Sequence, residues 1–312
     1  MEGLKKFSKD LLSTEKLLRY SKGHRFIFSY HDIGVPGTAH HSPRNATHPA
    51  LFMEQIALID RLFRVVTLNE IVSGRDLGRG NFAAITFDDG FRSVYTHARP
   101  VLKNAGLPYA VFINGAAVVH GENWISNMER HNDDGTYIRE VLFAAGMERE
   151  DRTDPIDRII ERGRFGSSFF SAYGRPRPGG RIYLDHAELK ELVGEGVVLG
   201  DHTWDHVVLG ATEGKVLEEQ LARGSELLHD LTGSKSVHHA IPFGKKQHFD
   251  AGSVKALRTH GFKHVYTTNP NRFVKRELSD ADLLIPRIGV VDQTARELLF
   301  YINRTLLRRY DL

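Results

Sequence analysis

The chain of 312 residues contains no cysteine. This absence excludes disulfide bonds, thiolate metal sites and cysteine nucleophiles. A transition-metal site would therefore need histidine, aspartate or glutamate ligands. The 17 histidines are numerous for this length, and some close pairs arise by chance. His40-His41 and His238-His239 are interpreted as pairs of that kind.

Long apolar runs and a strong charge imbalance are also missing. No stretch approaches the 18 apolar residues of a transmembrane helix, and residues 1–23 lack the apolar core of a secretory signal peptide. We therefore expect a cytoplasmic protein. The formal net charge is only +3, and no dense basic block carries interleaved aromatic residues. Nucleic acid is accordingly not an expected partner.

The two ends of the chain carry amphipathic patterns. Leucines near helical spacing among lysines predict a helix within an N-terminal extension, residues 1–25. Near the C-terminus, Arg304, Arg308 and Arg309 lie among apolar residues. A helix that caps the domain at the start and a solvated helix face at the end are the first interpretations. The alternative is peripheral association with an anionic membrane, at its inner face.

Apolar strands alternate with helical patterns along residues 26–312, which predicts an α/β domain with a parallel sheet. A charged segment with Gly/Pro clusters, about residues 120–181, interrupts this alternation and is interpreted as a partly helical insertion. Of the eight apolar segments interpreted as strands, six or seven alternate with helices, which favours a barrel or an open sheet. The strands are predicted at 26–31, 65–68, 83–87, 108–113, 197–199, 236–241, 264–268 and 283–288, and the helices at 51–63, 91–104, 185–194, 213–231, 250–260 and from 294.

Polar clusters follow several of these strands directly. They are His31-Asp32, Asp88-Asp89, Asp201-His202 and Pro242-Phe243-Gly244. In parallel α/β folds the ligand site gathers at the carboxyl ends of the strands. The shared placement therefore indicates one functional site.

The Asp88-Asp89-Gly90 sequence has two interpretations. Asp-Asp-Gly makes good turns. Two adjacent carboxylates at a strand end also repel each other unless a cation or a proton separates their roles. A metal accounts for the pair, because one carboxylate can bind it while the other takes a proton from metal-bound water.

His202 and His206 are spaced at i and i+4, which would place two imidazoles on one side of a helical turn. That spacing is used for Zn²⁺, although two surface histidines are the alternative. With a carboxylate from a neighbouring strand end, the set would leave coordination positions for water and substrate. Nitrogen and oxygen ligands suit one Zn²⁺ ion, and they also accept Co²⁺ or Ni²⁺.

Together, Thr86-Phe-Asp-Asp-Gly90 and His202-Thr-Trp-Asp-His206 resemble the motifs of the polysaccharide deacetylase family, carbohydrate esterase family 4, also called the NodB-homology domain. The resemblance runs from about residue 26 to 290. It implies a distorted (β/α) barrel of about seven strands that hydrolyses an acetamido group. It also implies that Asp88 is the general base and that Asp89, His202 and His206 bind the metal.

Residues 240–244 resemble the third motif of the family, in which the backbone N–H of Phe243 would hold the oxyanion. Ala240 stands where the family has an arginine that orients the base. Arg287 is the predicted replacement, and a salt bridge to a surface carboxylate is its alternative. The late leucine-x-histidine motif is missing too. In both missing features the chain resembles the branch of poly-N-acetylglucosamine deacetylases. This resemblance implies that His31 is the general acid. The alternative is that His31 is a structural histidine at a strand end.

Three further residues are predicted to bind substrate: Trp204, which could stack on a sugar ring, Tyr30 and Asn114. Packing is the alternative role for Trp204. The expected function is removal of acetate from an N-acetylated polysaccharide, oligosaccharide or lipid-linked glycan. Hydrolysis of a non-sugar amide or cyclic imide is the first alternative, and a catalytically silent glycan-binding relative is the second. The oligomeric state is left open.

Overall fold

The computed structural model forms two compact units. The first comprises Met1–Val111, Glu195–Val198 and Thr268–Leu312, and the second comprises Phe112–Gly194 and Leu199–Thr267. The structure describes residues 2–20, 23–36, 41–42, 44–130, 134–147, 154–166, 168–170, 181–212, 214–274, 277–278 and 284–307.

The strands are β1 (His24–Tyr30), β2 (Asp32–Ile33), β3 (Ala46–Thr47), β4 (Arg64–Val65), β5 (Phe82–Phe87), β6 (Tyr109–Ile113), β7 (Val198–Asp201), β8 (His238–Ala240), β9 (His264–Tyr266), β10 (Phe273–Val274), β11 (Leu284–Ile285) and β12 (Ile288–Gly289). The α-helices are α1 (Glu2–Tyr20), α2 (Pro49–Leu62), α3 (Leu68–Val72), α4 (Arg99–Ala105), α5 (Gly115–His120), α6 (Trp124–Arg130), α7 (Gly135–Ala144), α8 (Pro155–Arg162), α9 (His186–Gly194), α10 (Gly214–Thr232), α11 (Ala251–Thr259) and α12 (Ala295–Leu307).

In the first unit, β1 is the central strand. It pairs in parallel with β5 and with β12, and antiparallel with β10. Strand β5 pairs in parallel with β4 and β6 as well. The register places Tyr30 opposite Phe87, so β1 and β5 end together. The residues that follow these two strands, His31 and Asp88, therefore emerge at the same edge.

The core of the first unit is rich in aromatic rings. Phe26, Phe28 and Phe63 are buried and pack with ring centroids 4.8–6.4 Å apart. Burial of each such side chain stabilises the fold by about 1.5–3 kcal/mol. Helix α1 packs against α12, where the Thr14 hydroxyl donates to Asn303 Oδ1 at 2.9 Å. The predicted N-terminal helix is therefore present and docked within its unit.

In the second unit, β7 pairs with β8 and β8 with β9, both in parallel. Asp201 lies opposite His239 in this register. The predicted insertion contributes α6, α7 and α8, whose buried side chains include Trp124, Tyr137 and Ile159. These helices are therefore part of the apolar core of their unit.

Two predicted elements are wrong in detail. Strand 65–68 ends at Val65, because Thr67 is the N-cap of α3 and forms a capping box with Glu70. The predicted helix 91–104 begins as a π-helical turn, Val94–Ala98, and continues as α4. Its end is as expected, since Gly106 adopts φ 65° at the C-cap.

Among the residues that the structure describes, no helix combines the length and the apolar character that crossing a membrane requires.

Candidate active site

The first unit contains a carboxylate cluster, formed by Ser29, His31, Asp88, Asp89 and Arg287. Asp88 directly follows β5, and its N–H donates to the Tyr30 carbonyl at 2.8 Å. This bond extends the β1–β5 pairing by one residue. The Asp88 side chain is consequently fixed at the strand edge, where it is only 1% exposed.

Arg287 holds the Asp88 carboxylate in a bidentate pair. Nη1 and Nη2 of Arg287 each donate to one carboxylate oxygen, both at 2.7 Å. The Ser29 hydroxyl adds a bond to Oδ2 at 3.1 Å. Arg287 lies between β11 and β12 in sequence and is completely buried. It therefore pairs with this internal carboxylate and not with a carboxylate on the surface. Two parallel charge-assisted bonds fix both the position and the rotation of the carboxylate.

His31 lies beside the same carboxylate. Its Nε2 is 4.0 Å from Asp88 Oδ2, and its side chain is 20% exposed. Burial is the main cause that lowers the pKa of His31, and the Arg287 charge acts in the same direction. Asp88 and Asp32 oppose this shift. The imidazole is therefore neutral near pH 7 and adjoins a fixed carboxylate.

Asp89 has an unusual backbone conformation. Its φ is 68°, in the left-handed region, and Gly90 follows with φ 73°. A non-glycine residue in this region is strained, although aspartate tolerates it better than most. The turn that Asp-Asp-Gly favours therefore gives the two carboxylates different environments. Asp89 itself is 5% exposed.

The second unit contains a histidine segment, residues 201–206, which follows β7. The predicted helical turn is wrong here: Thr203 and His206 have φ of 63° and 56°, which no right-handed helix allows. The two imidazoles of His202 and His206 nevertheless meet, with ring centroids 4.9 Å apart. The Thr203 hydroxyl accepts the N–H of Val207 at 3.1 Å and closes the turn.

The tautomer of His202 is fixed by its surroundings. Its Nδ1 lies 2.7 Å from the Ala240 carbonyl, and because a carbonyl only accepts, Nδ1 carries the proton. In the neutral ring Nε2 then keeps its lone pair, the state that a metal ligand needs. The backbone is fixed as well, because the His202 N–H donates to Ile113 and its carbonyl accepts from Asn114 Nδ2 at 2.7 Å.

His206 is fixed by aromatic residues. The indole N–H of Trp124 donates to the His206 carbonyl at 3.0 Å, and the His206 ring packs against Phe243 at 4.5 Å. Phe243 has φ 61°, a strained conformation that turns the backbone sharply at this position. Its ring also contacts His248.

The three residues predicted to bind substrate are all buried in the structure. Tyr30 is fully buried against Phe52 and Phe87, and this burial raises the pKa of its phenol. Asn114 is fully buried, and its side-chain amide donates to the His202 carbonyl. Trp204 is 8% exposed, because Arg223 covers one ring face at 3.9 Å and the ring occupies the space that a Cβ on residue 115 would need. Their predicted role in substrate binding stays a prediction.

One supporting residue, His239, had no signal in the sequence. Asp201 accepts from the Thr203 N–H at 3.1 Å and from His239 Nδ1 at 2.7 Å, with both side chains buried. The pair His238-His239, interpreted as accidental, therefore includes one histidine with a structural role. Only the register of β7 with β8 could have revealed it.

The family model described as polysaccharide deacetylase matches residues 78–265. Among curated proteins, none matches the sequence. Several solved structures share the fold. IcaB from Ammonifex degensii is 23% identical, with a TM-score of 0.58, and the match covers 90% of this chain and 97% of IcaB.

Two further structures are similar at lower identity. The Streptococcus pyogenes deacetylase PplD, solved with acetate, is 17% identical with a TM-score of 0.60, covering 90% of this chain and 99% of PplD. The de-N-acetylase from Aggregatibacter actinomycetemcomitans is 13% identical with a TM-score of 0.57, and the match covers 86% of this chain and 95% of that protein. At these identities the likeness concerns the fold, and it confirms the predicted α/β class with a NodB-like barrel.

Proposed function

Because the chain belongs to the polysaccharide deacetylase family, we propose that it hydrolyses the acetamido group of an N-acetylated sugar and releases acetate, with one divalent metal. The observation that carries the proposal is the buried Asp88–Arg287 pair. A carboxylate fixed in this way directly after the Thr-Phe-Asp-Asp-Gly motif suits a general base, since the efficiency of a base depends on its position.

Asp89, His202 and His206 are the proposed metal ligands. Each of the three side chains is buried within its own unit. The donor set fits Zn²⁺, because it consists of one carboxylate and two imidazoles. The fixed tautomer of His202 supports the assignment. When bound, the metal supplies a Lewis acid and water that is nucleophilic near neutral pH.

The remaining steps belong to the residues of the chain. Asp88 takes a proton from the attacking water, and Arg287 keeps the carboxylate aimed during the transfer. His31 delivers a proton to the nitrogen of the leaving amine as the C–N bond breaks. Since burial keeps His31 neutral near pH 7, it must first receive that proton, and Asp88, whose Oδ2 is 4.0 Å from His31 Nε2, can supply it. The backbone N–H of Phe243 is proposed to hold the oxyanion.

The test compares substrates and one variant. Acetate release is measured with an oligomer of N-acetylglucosamine and, in parallel, ring opening of a cyclic imide. We expect release of acetate from the oligomer, and a loss of at least about 100-fold in kcat for Asp88→Asn, the usual contribution of a general base. Turnover of the imide alone would favour the non-sugar amidase, and sugar binding without any turnover would favour the silent relative.

A further inference from the structure

A second imidazole lies next to a buried carboxylate in the first unit, outside the carboxylate cluster. Nδ1 of His41 is 3.0 Å and 3.2 Å from the two oxygens of Asp32. Asp32 is completely buried, whereas the His41 side chain is 19% exposed. This Asp32–His41 pair has no role in the steps described above.

Asp32 is satisfied by other donors as well. The Ser93 hydroxyl donates to Oδ1 at 2.6 Å, and the Ser42 N–H donates to Oδ2 at 2.7 Å. Ser93 in turn accepts the N–H of Ile33 at 2.9 Å. The carboxylate is therefore immobile, and the imidazole that donates to it has a fixed ring orientation and a fixed tautomer.

The backbone leaves room for the His41 ring. A Cβ on Gly34 would overlap this ring, at its Cγ, Nδ1 and Cε1 atoms. Glycine at position 34 is thus required for the ring to lie where it does. The ring also meets the edge of the exposed His97 imidazole, with centroids 5.9 Å apart.

The outward nitrogen of His41 is available to a ligand. With Nδ1 donating to Asp32, the neutral ring presents the Nε2 lone pair as an acceptor. Within the ranges that the structure describes, no residue donates a hydrogen bond to this nitrogen. A buried carboxylate therefore holds a ring nitrogen that has no hydrogen-bond partner among the described residues.

The pair lies at the edge of the sheet that carries the carboxylate cluster. Asp32 is the residue after His31, and Ser93 follows the Asp88-Asp89 turn by a few residues. Asp32 is also near enough to His31 to affect its pKa. The loops after β1 and β5 thus carry both the proposed acid and base and the Asp32–His41 pair.

We infer that His41 is a substrate-binding residue, whose Nε2 accepts a hydrogen bond from a hydroxyl group of the sugar. This inference rests on the proposed function, because it places a polyhydroxylated substrate next to Asp88 and His31. An imidazole with one nitrogen available suits a hydroxyl group, which can donate a hydrogen bond to that nitrogen. Asp32 is the positioning residue that fixes the orientation of this acceptor.

The test uses His41→Asn, with His41→Ala beside it. Asparagine can place an amide N–H near Nδ1 and keep the bond to Asp32, but it has no atom at the Nε2 position. kcat and KM are measured for an N-acetylglucosamine oligomer and for 4-nitrophenyl acetate, which has no sugar hydroxyl. Oligomer binding is titrated separately, and thermal unfolding checks the fold.

We expect His41→Asn to lower kcat/KM for the oligomer by about tenfold, the value of one hydrogen bond, mainly through KM. Its rate with the aryl acetate and its melting temperature should match the wild type. A purely structural histidine predicts the opposite: asparagine restores wild-type kinetics and only alanine is impaired. Oligomer kinetics within twofold of wild type for His41→Asn would overturn the inference.

Failure of the proposed function gives a different result. If the wild type binds the oligomer and releases no acetate, deacetylation is wrong, and weaker binding by His41→Asn still supports the hydroxyl contact. If the wild type neither binds nor hydrolyses the oligomer, both proposals are wrong.

Discussion

At the scale of single residues, the proposed mechanism depends on Asp88 and Arg287, two opposite charges that are both buried. The cost of removing them from water is offset only while both are present. The pair therefore stabilises the fold conditionally, and each charge alone would destabilise it. This dependence can be measured without any substrate.

We predict that Arg287→Met lowers the free energy of unfolding by about 3–5 kcal/mol, because it leaves the Asp88 carboxylate buried without a counter-charge. The double variant Asp88→Asn/Arg287→Met should recover most of this loss, since no unpaired charge remains. Urea unfolding of the wild type, both single variants and the double variant gives the coupling. Additive effects of the two substitutions would show that the pair is not the source of the loss.

Arg287→Lys tests the geometry and leaves the charge in place. Lysine cannot make the two parallel bonds of a guanidinium, so the Asp88 carboxylate would be less well oriented. We expect kcat for acetate release to fall by about tenfold or more, with KM changed little, as for an interaction made in the transition state. A rise in KM at unchanged kcat would instead assign Arg287 to substrate binding.

At the scale of elements, the helices of the insertion support a proposed ligand. Helix α6 begins at Trp124, whose indole donates to the His206 carbonyl. Phe165 and Phe169 pack around the same indole with centroids 5.6–5.8 Å away. This part of the insertion thus fixes the backbone of the histidine segment.

Trp124→Phe should weaken binding of Zn²⁺ by about 10- to 100-fold, the usual effect of losing a residue that orients a ligand. Phe169→Leu is the matched control, because it removes a ring from the same cluster and no hydrogen bond. Competition with a chromophoric chelator measures both affinities. Equal affinities for the two variants would mean that only packing matters at this position.

The sequence predicts the elements that depend on local pattern and misses those that depend on distant pairing. The strand ends at Tyr30 and Phe87 follow from apolar runs, and so does their shared edge. The partner of Arg287 does not, because it lies 199 residues away in sequence. The helical turn at His202 was wrong because an i, i+4 spacing carries no information on the sign of φ.

The sequence also does not show which of the side chains near the site are exposed. Tyr30 and Trp204 lie beside site residues in sequence, and both side chains turned into the core. Alternation along a strand explains Tyr30, since neighbouring residues point to opposite sides. The roles of the site residues, the location of the protein and its association with a membrane stay predictions.

At the scale of the whole molecule, buried and half-buried histidines contribute to the dependence of stability on pH. Burial lowers the pKa of His24 and His248 to about 4 and that of His238 to about 3. In the unfolded chain these groups titrate near pH 6.5. Between pH 6.5 and 4 the unfolded state therefore binds more protons, and stability falls as the pH is lowered.

His238→Gln should make this decline shallower. His238 is 3% exposed, its Nδ1 is 2.8 Å from the Tyr266 hydroxyl, and its ring stacks on His264. A single histidine of this kind accounts for about 2 kcal/mol between pH 7.5 and pH 5. Urea unfolding at the two pH values should show the variant losing less stability than the wild type by about that amount. If the variant and the wild type lose the same stability between the two pH values, His238 is not buried in its neutral form.

The central claim is that Asp89, His202 and His206 hold the metal that deacetylation requires. The most direct measurement determines bound zinc and acetate release together, for the wild type, for His202→Ala and for the exposed control His120→Ala. We predict about one zinc ion per chain and full activity for the wild type and the control, with both lost in His202→Ala. Wild-type zinc content and wild-type acetate release in His202→Ala would contradict the account.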